Sequence, residues 1–336
     1  GMLWADASWS ERIAGLSGFH KLLLIPLLLA HCRRHPQAKW AIVGFLASAA
    51  VLLAVSWALV LTPGLTWRGR GNPGVPVKDY ILQSEIFAIC AFGLIGEAAE
   101  LWRTRTRLSL VLLLAAAAFI ANIGYVATAR TTLVVMAALL TLFGLRRFGW
   151  KGGLAVAVIG PVVAGALWAS SPYLRERVSL AVEQVETYGT SDVNTSIGLR
   201  LEYWKKSLAL IAEAPVVGHG TGTIPQLFRR DATAETIPTL LTSNPHSQIL
   251  TVAIQLGVLG VGVLVAMWVA HFALFRGGTP AAWFGLVIVT YNVVSSLFNS
   301  HLFDFSQGWL YVFGVGLAGG MVLRDTRAGA KLEGET

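Results

Sequence analysis

The chain has 336 residues, 55% of them hydrophobic and 13% charged, with a formal net charge of +8 and a mean hydropathy of +0.63. A soluble domain of this size needs more charge to cover its surface, so the composition excludes an ordinary water-soluble globule and predicts an all-α, polytopic membrane bundle. The positive charge is spread over short connections, which is poor ground for nucleic-acid binding, and two cysteines cannot make a disulfide framework.

A helix needs ~20 apolar residues to cross ~30 Å of hydrocarbon. After a polar lead-in, Trp4 to Ser17, the sequence offers nine such spans, near 18–31, 40–62, 80–101, 108–127, 131–146, 152–170, 248–275, 281–298 and 307–323. The chain thus divides into a bundle of six spans over 1–170, a polar loop over 171–247, and three spans with a tail over 248–336. The connection Thr62–Asp79, rich in Gly and Pro, reads as an extended loop. The loop 171–247 is too long to lack elements of its own. Its best element is a helix near 197–214, capped by Thr195 or Ser196 and stopped by Pro215. Leu201, Trp204, Leu208 and Ile211 give that helix one apolar stripe, which predicts that it lies along the membrane or against the bundle.

Charge sets the orientation. The connections at 33–39, 103–107, 146–151 and 276, with the tail, hold 13 basic residues, and the four connections hold no acid. The 171–246 stretch carries seven Lys/Arg against eight Asp/Glu. The basic set is therefore expected in the cytoplasm and the large loop outside. Nine being odd, the amino terminus then falls outside, and an N-out start suggests that an odd number of spans precedes residue 1.

Three residues stand out for chemistry. His246, after Pro245 at the lip of a span, either accepts a proton near neutral pH or is a helix-start histidine bonded to headgroups. Arg200, in the first turn of the loop helix, either grips an anion or snorkels to the headgroups. Arg130 is the only basic residue of a very short outer turn, where positive charge is least expected, so it points into the bundle or to a phosphate. His219, in the turn Gly218-His219-Gly220-Thr221-Gly222, and Tyr203, His301 and Asp304 are candidates to line the same cavity, and the turn's amides could cradle an anion. The loop carboxylates Glu183, Glu186, Asp192, Glu202 and Asp231 leave a carboxylate pair open. No metal-ligand spacing, Walker loop, nucleophile elbow or dinucleotide fingerprint occurs, so no cofactor is expected.

In order along the chain stand Thr128-Ala129-Arg130-Thr131, Ser196-Ile197-Gly198-Leu199-Arg200, Tyr203-Trp204, Ala214-Pro215 through Gly222, Asn244-Pro245-His246, Gln255-Leu256-Gly257 and Asn299-Ser300-His301-Leu302-Phe303-Asp304. Taken together these resemble the O-antigen ligase and polymerase superfamily of bacterial envelope glycosyltransferases, the last motif the ligase branch in particular. Two departures are Ser247, where the family usually has Asn, and a number of spans below the family's. The resemblance implies a metal-independent transfer in the Gram-negative inner membrane, on its periplasmic face. A polysaccharide on undecaprenyl diphosphate would move to a sugar hydroxyl of lipid A–core, with His246 as base and Arg130 and Arg200 on the diphosphate. A polymerase or a protein O-oligosaccharyltransferase would share the donor site and differ in acceptor. A permease would place charge at mid-membrane, whereas Glu85 and Glu97 sit toward span ends.

Overall fold

The computed structural model describes residues 1–62, 64, 73–186, 195–230, 242 and 244–333. All regular structure among them is helical. The α-helices are α1 (Trp9–Leu16), α2 (Leu24–Arg34), α3 (Lys39–Leu61), α4 (Tyr80–Leu101), α5 (Thr106–Tyr125), α6 (Arg130–Phe148) and α7 (Trp150–Ser170). They continue with α8 (Pro172–Glu186), α9 (Ser196–Glu213), α10 (Ile224–Arg230), α11 (Gln248–Leu274), α12 (Pro280–Ser295) and α13 (Phe305–Glu333). Seven helices among the described residues are long and apolar enough to cross a membrane. The bent pair Trp9–Leu16 with His20–Arg34 passes the same test together, and the shorter apolar α12 takes the place of the eighth expected span.

The chain forms two compact units, neither a single stretch of sequence. One comprises Pro26–Val178, Leu274–Tyr291 and Phe313–Thr336. Within it α4 is central, with Phe87 through Ala91 buried. On α7, Leu154, Val158, Val162 and Val163 are exposed, a surface stable only against lipid. One polar cluster in the bundle is joined by hydrogen bonds among its own members. Ser56 Oγ donates to Gly74 O at 2.6 Å, Gln83 Nε2 donates to Asn122 Oδ1 at 3.1 Å, and Asn122 Nδ2 donates to Ser56 Oγ at 2.8 Å. From Ala281 to Tyr291, α12 is buried on every side, and Trp283 Nε1 donates to Phe92 O at 2.7 Å. A helix enclosed by protein need not match the bilayer in length, which is why 16 residues suffice.

The other unit comprises Gly1–Ile25, Ser179–Ala273 and Asn292–Val312. The α9 helix starts where Thr195 Oγ1 accepts the Gly198 N–H at 3.1 Å. Its buried face is shifted from the expected stripe, of which Ile211 still packs against the core. Tyr203 and Leu210 enter a core with Ile224, Phe228 and Ile254, while Leu208 is 62% exposed. Partners brought from α10 and α11 select the face, and buried Ser207 is tolerated because its hydroxyl donates to Tyr203 O at 2.6 Å.

The α11 helix breaks at Gly257, whose φ of 61° is left-handed. The 215–220 segment fills the break: Val258 N–H donates to Pro215 O at 2.8 Å, His219 N–H to Ile254 O at 2.8 Å and Gly220 N–H to Gln255 O at 2.9 Å. A Cβ at Gly257 would lie 2.2 Å from Val216 O, so only glycine admits this approach.

Candidate active site

The first residue of α11 organises its surroundings. Fully buried Gln248 donates its backbone N–H to Ser296 O at 2.8 Å, and its Oε1 accepts the Leu302 N–H at 3.1 Å. Thr251 Oγ1 meets Ser300 Oγ at 2.7 Å. The turn between α12 and α13 is thereby laid across the head of α11, beside His246.

His246 has a φ of 56°, the one left-handed non-glycine among the described residues. Such a backbone costs on the order of 1–3 kcal/mol and persists where its surroundings over-determine it. Here they do. Pro245 fixes the backbone before it, the His246 N–H donates to Asn244 Oδ1 at 2.9 Å, and Trp204 Nε1 donates to His246 O at 3.4 Å. His246 Nδ1 lies 3.0 Å from Asn299 Oδ1, which also accepts from Ser300 N at 3.0 Å and Asn244 Nδ2 at 3.2 Å. The Tyr203 ring runs nearly parallel to the imidazole, 14° between planes and 6.0 Å between centroids.

The imidazole is held below its ordinary pKa, first by burial and then by the Arg200 charge, with the Asn299 hydrogen bond opposing both. Burial raises the Tyr203 phenol. The fold thus brings His246, Tyr203 and Arg200 together from 171–247 and adds Asn299 from 53 residues downstream. The Nδ1 partner of the ring is Asn299 and not Ser247, the residue at which the chain departs from the family's Asn.

The other candidates behave differently. The glycine turn is not an anion cradle, because the protein uses its amides. Gly218 donates to Ala214 O, His219 to Ile254 O, Gly220 to Gln255 O, Thr221 to Gly1 O and Gly222 to Gln255 Oε1. His219 Nε2 lies 2.8 Å from Leu210 O, so the ring pins the turn to the end of α9, while one edge borders a cavity of about 330 Å³ with Asp6 and Arg230. His301 is buried, its Nδ1 3.6 Å from Asp304 Oδ2, and the Asp304 backbone carbonyl accepts from Lys21 Nζ at 2.8 Å. Arg130 opens α6 in the other unit, half-buried after the buried run Val126–Ala129. Of the loop carboxylates, Asp192 and Asp231 lie outside the described residues. Among the described residues no three His, Cys, Asp or Glu side chains converge as metal ligands.

Sequence reasoning missed Gln248 and the part of Asn299. No spacing rule joins position 299 to 246, whereas Asn244-Pro245 did carry a signal, since Asn favours turns that fold back on the next backbone N–H.

Residues 115–265 match the family model described as O-antigen ligase. The match takes in Arg130, Arg200, Tyr203, His219 and His246 and ends before Asn299, His301 and Asp304. No curated protein matches the chain.

Proposed function

With the O-antigen ligase match over residues 115–265 as premise, we propose that this multi-pass membrane protein transfers a polysaccharide from undecaprenyl diphosphate to a sugar hydroxyl of lipid A–core. The transfer takes place at the periplasmic face of the inner membrane, and the asymmetry of Lys and Arg between the two sets of connections supports that orientation. The observation that carries the reading is His246: a histidine in a strained backbone, wired through Nδ1, beside an arginine and inside the matched segment.

In the proposed step, neutral His246 takes the proton of the acceptor hydroxyl at Nε2, and that oxygen attacks the anomeric carbon of the donor. The new glycosidic C–O bond forms as the bond from that carbon to the diphosphate oxygen breaks. The electron pair departs on undecaprenyl diphosphate. Negative charge grows there, and Arg200 neutralises it with a planar fork suited to phosphate oxygens. Arg130 is a second candidate for that charge, by its place in the short outer turn.

The test uses purified protein, lipid-linked polysaccharide donor and lipid A–core. Formation of capped core with release of undecaprenyl diphosphate supports the reading. Elongation of the donor alone makes the protein a polymerase, and transfer to a protein hydroxyl makes it a protein O-oligosaccharyltransferase. Labelling of Glu186→Cys, exposed at the end of α8, from the cytoplasmic side only would overturn the orientation and the mechanism with it.

A further inference from the structure

We infer that Asn299 is a positioning residue for this transfer: it holds neutral His246 with its proton on Nδ1, leaving the Nε2 lone pair for the incoming hydroxyl proton. The inference rests on the reading of His246 as base, and its argument is one of donors and acceptors.

A backbone N–H can only donate. The Ser300 N–H lies 3.0 Å from the Asn299 side-chain atom that also faces His246 Nδ1, so that atom is the carbonyl oxygen. An oxygen without a hydrogen obliges Nδ1 to be the donor. A second backbone amide checks the first. The His246 N–H donates to one side-chain atom of Asn244 at 2.9 Å, which makes that atom Oδ1 and leaves Nδ2 to face Asn299. Nδ2 then donates to the same Asn299 oxygen at 3.2 Å, as an acceptor there requires. Two backbone amides therefore orient two carboxamides, and the carboxamides settle the tautomer of one imidazole. Turning the Asn299 amide over would set its NH₂ against both the Ser300 N–H and the Asn244 NH₂.

The placement of Asn299 is itself secured. Its N–H donates to Ser295 O at 3.1 Å, and Gln248 holds the turn on both sides. A free imidazole in water exchanges between tautomers, and only one of them serves a base working through Nε2. An asparagine suits this task better than an acid, since a neutral acceptor orients the ring without the carboxylate charge that would favour the imidazolium. The charge acting on the ring is that of Arg200 on α9; Tyr203 of the same helix and Asn244 are neutral, and on the 296–304 turn His301 and Asp304 face each other.

The test compares Asn299→Leu with Asn299→Asp in the full chain, with ¹⁵N spectra of the histidine rings and the pH profile of kcat. The wild type should show His246 with a protonated Nδ1 and an unprotonated Nε2. Asn299→Leu should lose on the order of 10²–10⁴-fold in kcat, with KM for the donor little changed. Asn299→Asp keeps an acceptor for Nδ1–H, so it should recover much of the rate while its acid limb moves up by about one pH unit or more. A protonated Nε2 in the wild type, or wild-type kcat in Asn299→Leu, overturns the inference. So does an unshifted acid limb in Asn299→Asp with equal loss of thermal stability in both variants, the mark of a merely structural role. Retained transfer in His246→Ala would instead sink the base itself, and the ¹⁵N spectrum would still report on the wiring alone.

Discussion

Gln248 and Leu302 are 54 positions apart and joined by one hydrogen bond, Leu302 N–H to Gln248 Oε1 at 3.1 Å, which fastens the α12–α13 turn to the head of α11. Both residues are buried. Gln248→Leu keeps the bulk and removes the acceptor, leaving the Leu302 N–H without its partner. A buried unsatisfied group of this kind costs on the order of 1–3 kcal/mol. Thermal unfolding in detergent should show that loss, together with reduced transfer as Asn299 and His246 lose register. An unchanged melting temperature with full activity would show that the turn is held some other way.

His246→Ala should lower kcat by on the order of 10²–10⁴-fold, the usual contribution of a positioned general base. The protein should still insert and still bind the lipid-linked donor. Loss of folded protein, in place of loss of rate, would make His246 a structural residue. Near wild-type transfer by a well-folded variant would turn attention to the carboxylates of the loop.

The pH dependence has a definite sign. Burial and then Arg200 hold the folded His246 below the ordinary imidazole value of 6.5, so the ring stays neutral, and able to act as base, to a lower pH than usual. The acid limb of the rate should fall below that value. By the same linkage the neutral ring contributes stability above the unfolded pKa, and that contribution is lost as pH falls through the folded pKa. Arg200→Gln removes the positive charge and should move the limb upward. A limb that does not move in Arg200→Gln would separate the arginine from the imidazole.

Arg200→Lys tests a different property. It keeps the charge, so the acid limb should stay in place, but it lacks the bidentate fork, so donor affinity should drop. Arg130→Lys should weaken donor binding in the same way. Wild-type donor affinity in both lysine variants would reduce these arginines to headgroup anchors.

Gly257→Ala should destabilise the protein through two coincident faults. Its Cβ would fall 2.2 Å from Val216 O, and its left-handed φ of 61° disfavours any side chain. The expected loss is on the order of 1–3 kcal/mol or more. Gly262→Ala, in the same helix with nothing within 4 Å of the new Cβ, should be tolerated. Equal stability of the two variants would deny the 215–220 segment its place in the break of α11.

The sequence by itself determined what depends on local pattern. Apolar runs placed the spans because each crossing must satisfy its own backbone in hydrocarbon, and the expected 80–101 span is the observed Tyr80–Leu101 helix. Thr195 and Pro215 bounded α9 because caps and prolines act within one turn. The α8 helix passed unnoticed although Ser171-Pro172 announces it, with Ser171 Oγ accepting the Leu174 N–H at 3.1 Å. His246 was visible as a titratable group at the lip of a span. What surrounds it was not. The buried face of α9 centres on Tyr203 and Leu210, with Ile211 of the apolar stripe at its edge, because Phe228 and Ile254 supply the packing partners. The glycine turn, whose amides could have cradled an anion, is a splice across the break at Gly257, its amides taken by Ala214, by Ile254 and Gln255 more than 30 residues onward, and by Gly1. Asn299 reaches His246 only because Gln248 catches the turn that carries it. Helix propensity and hydropathy act over a few residues, whereas these partnerships join groups tens of residues apart, which only the folded chain sets at hydrogen-bonding distance.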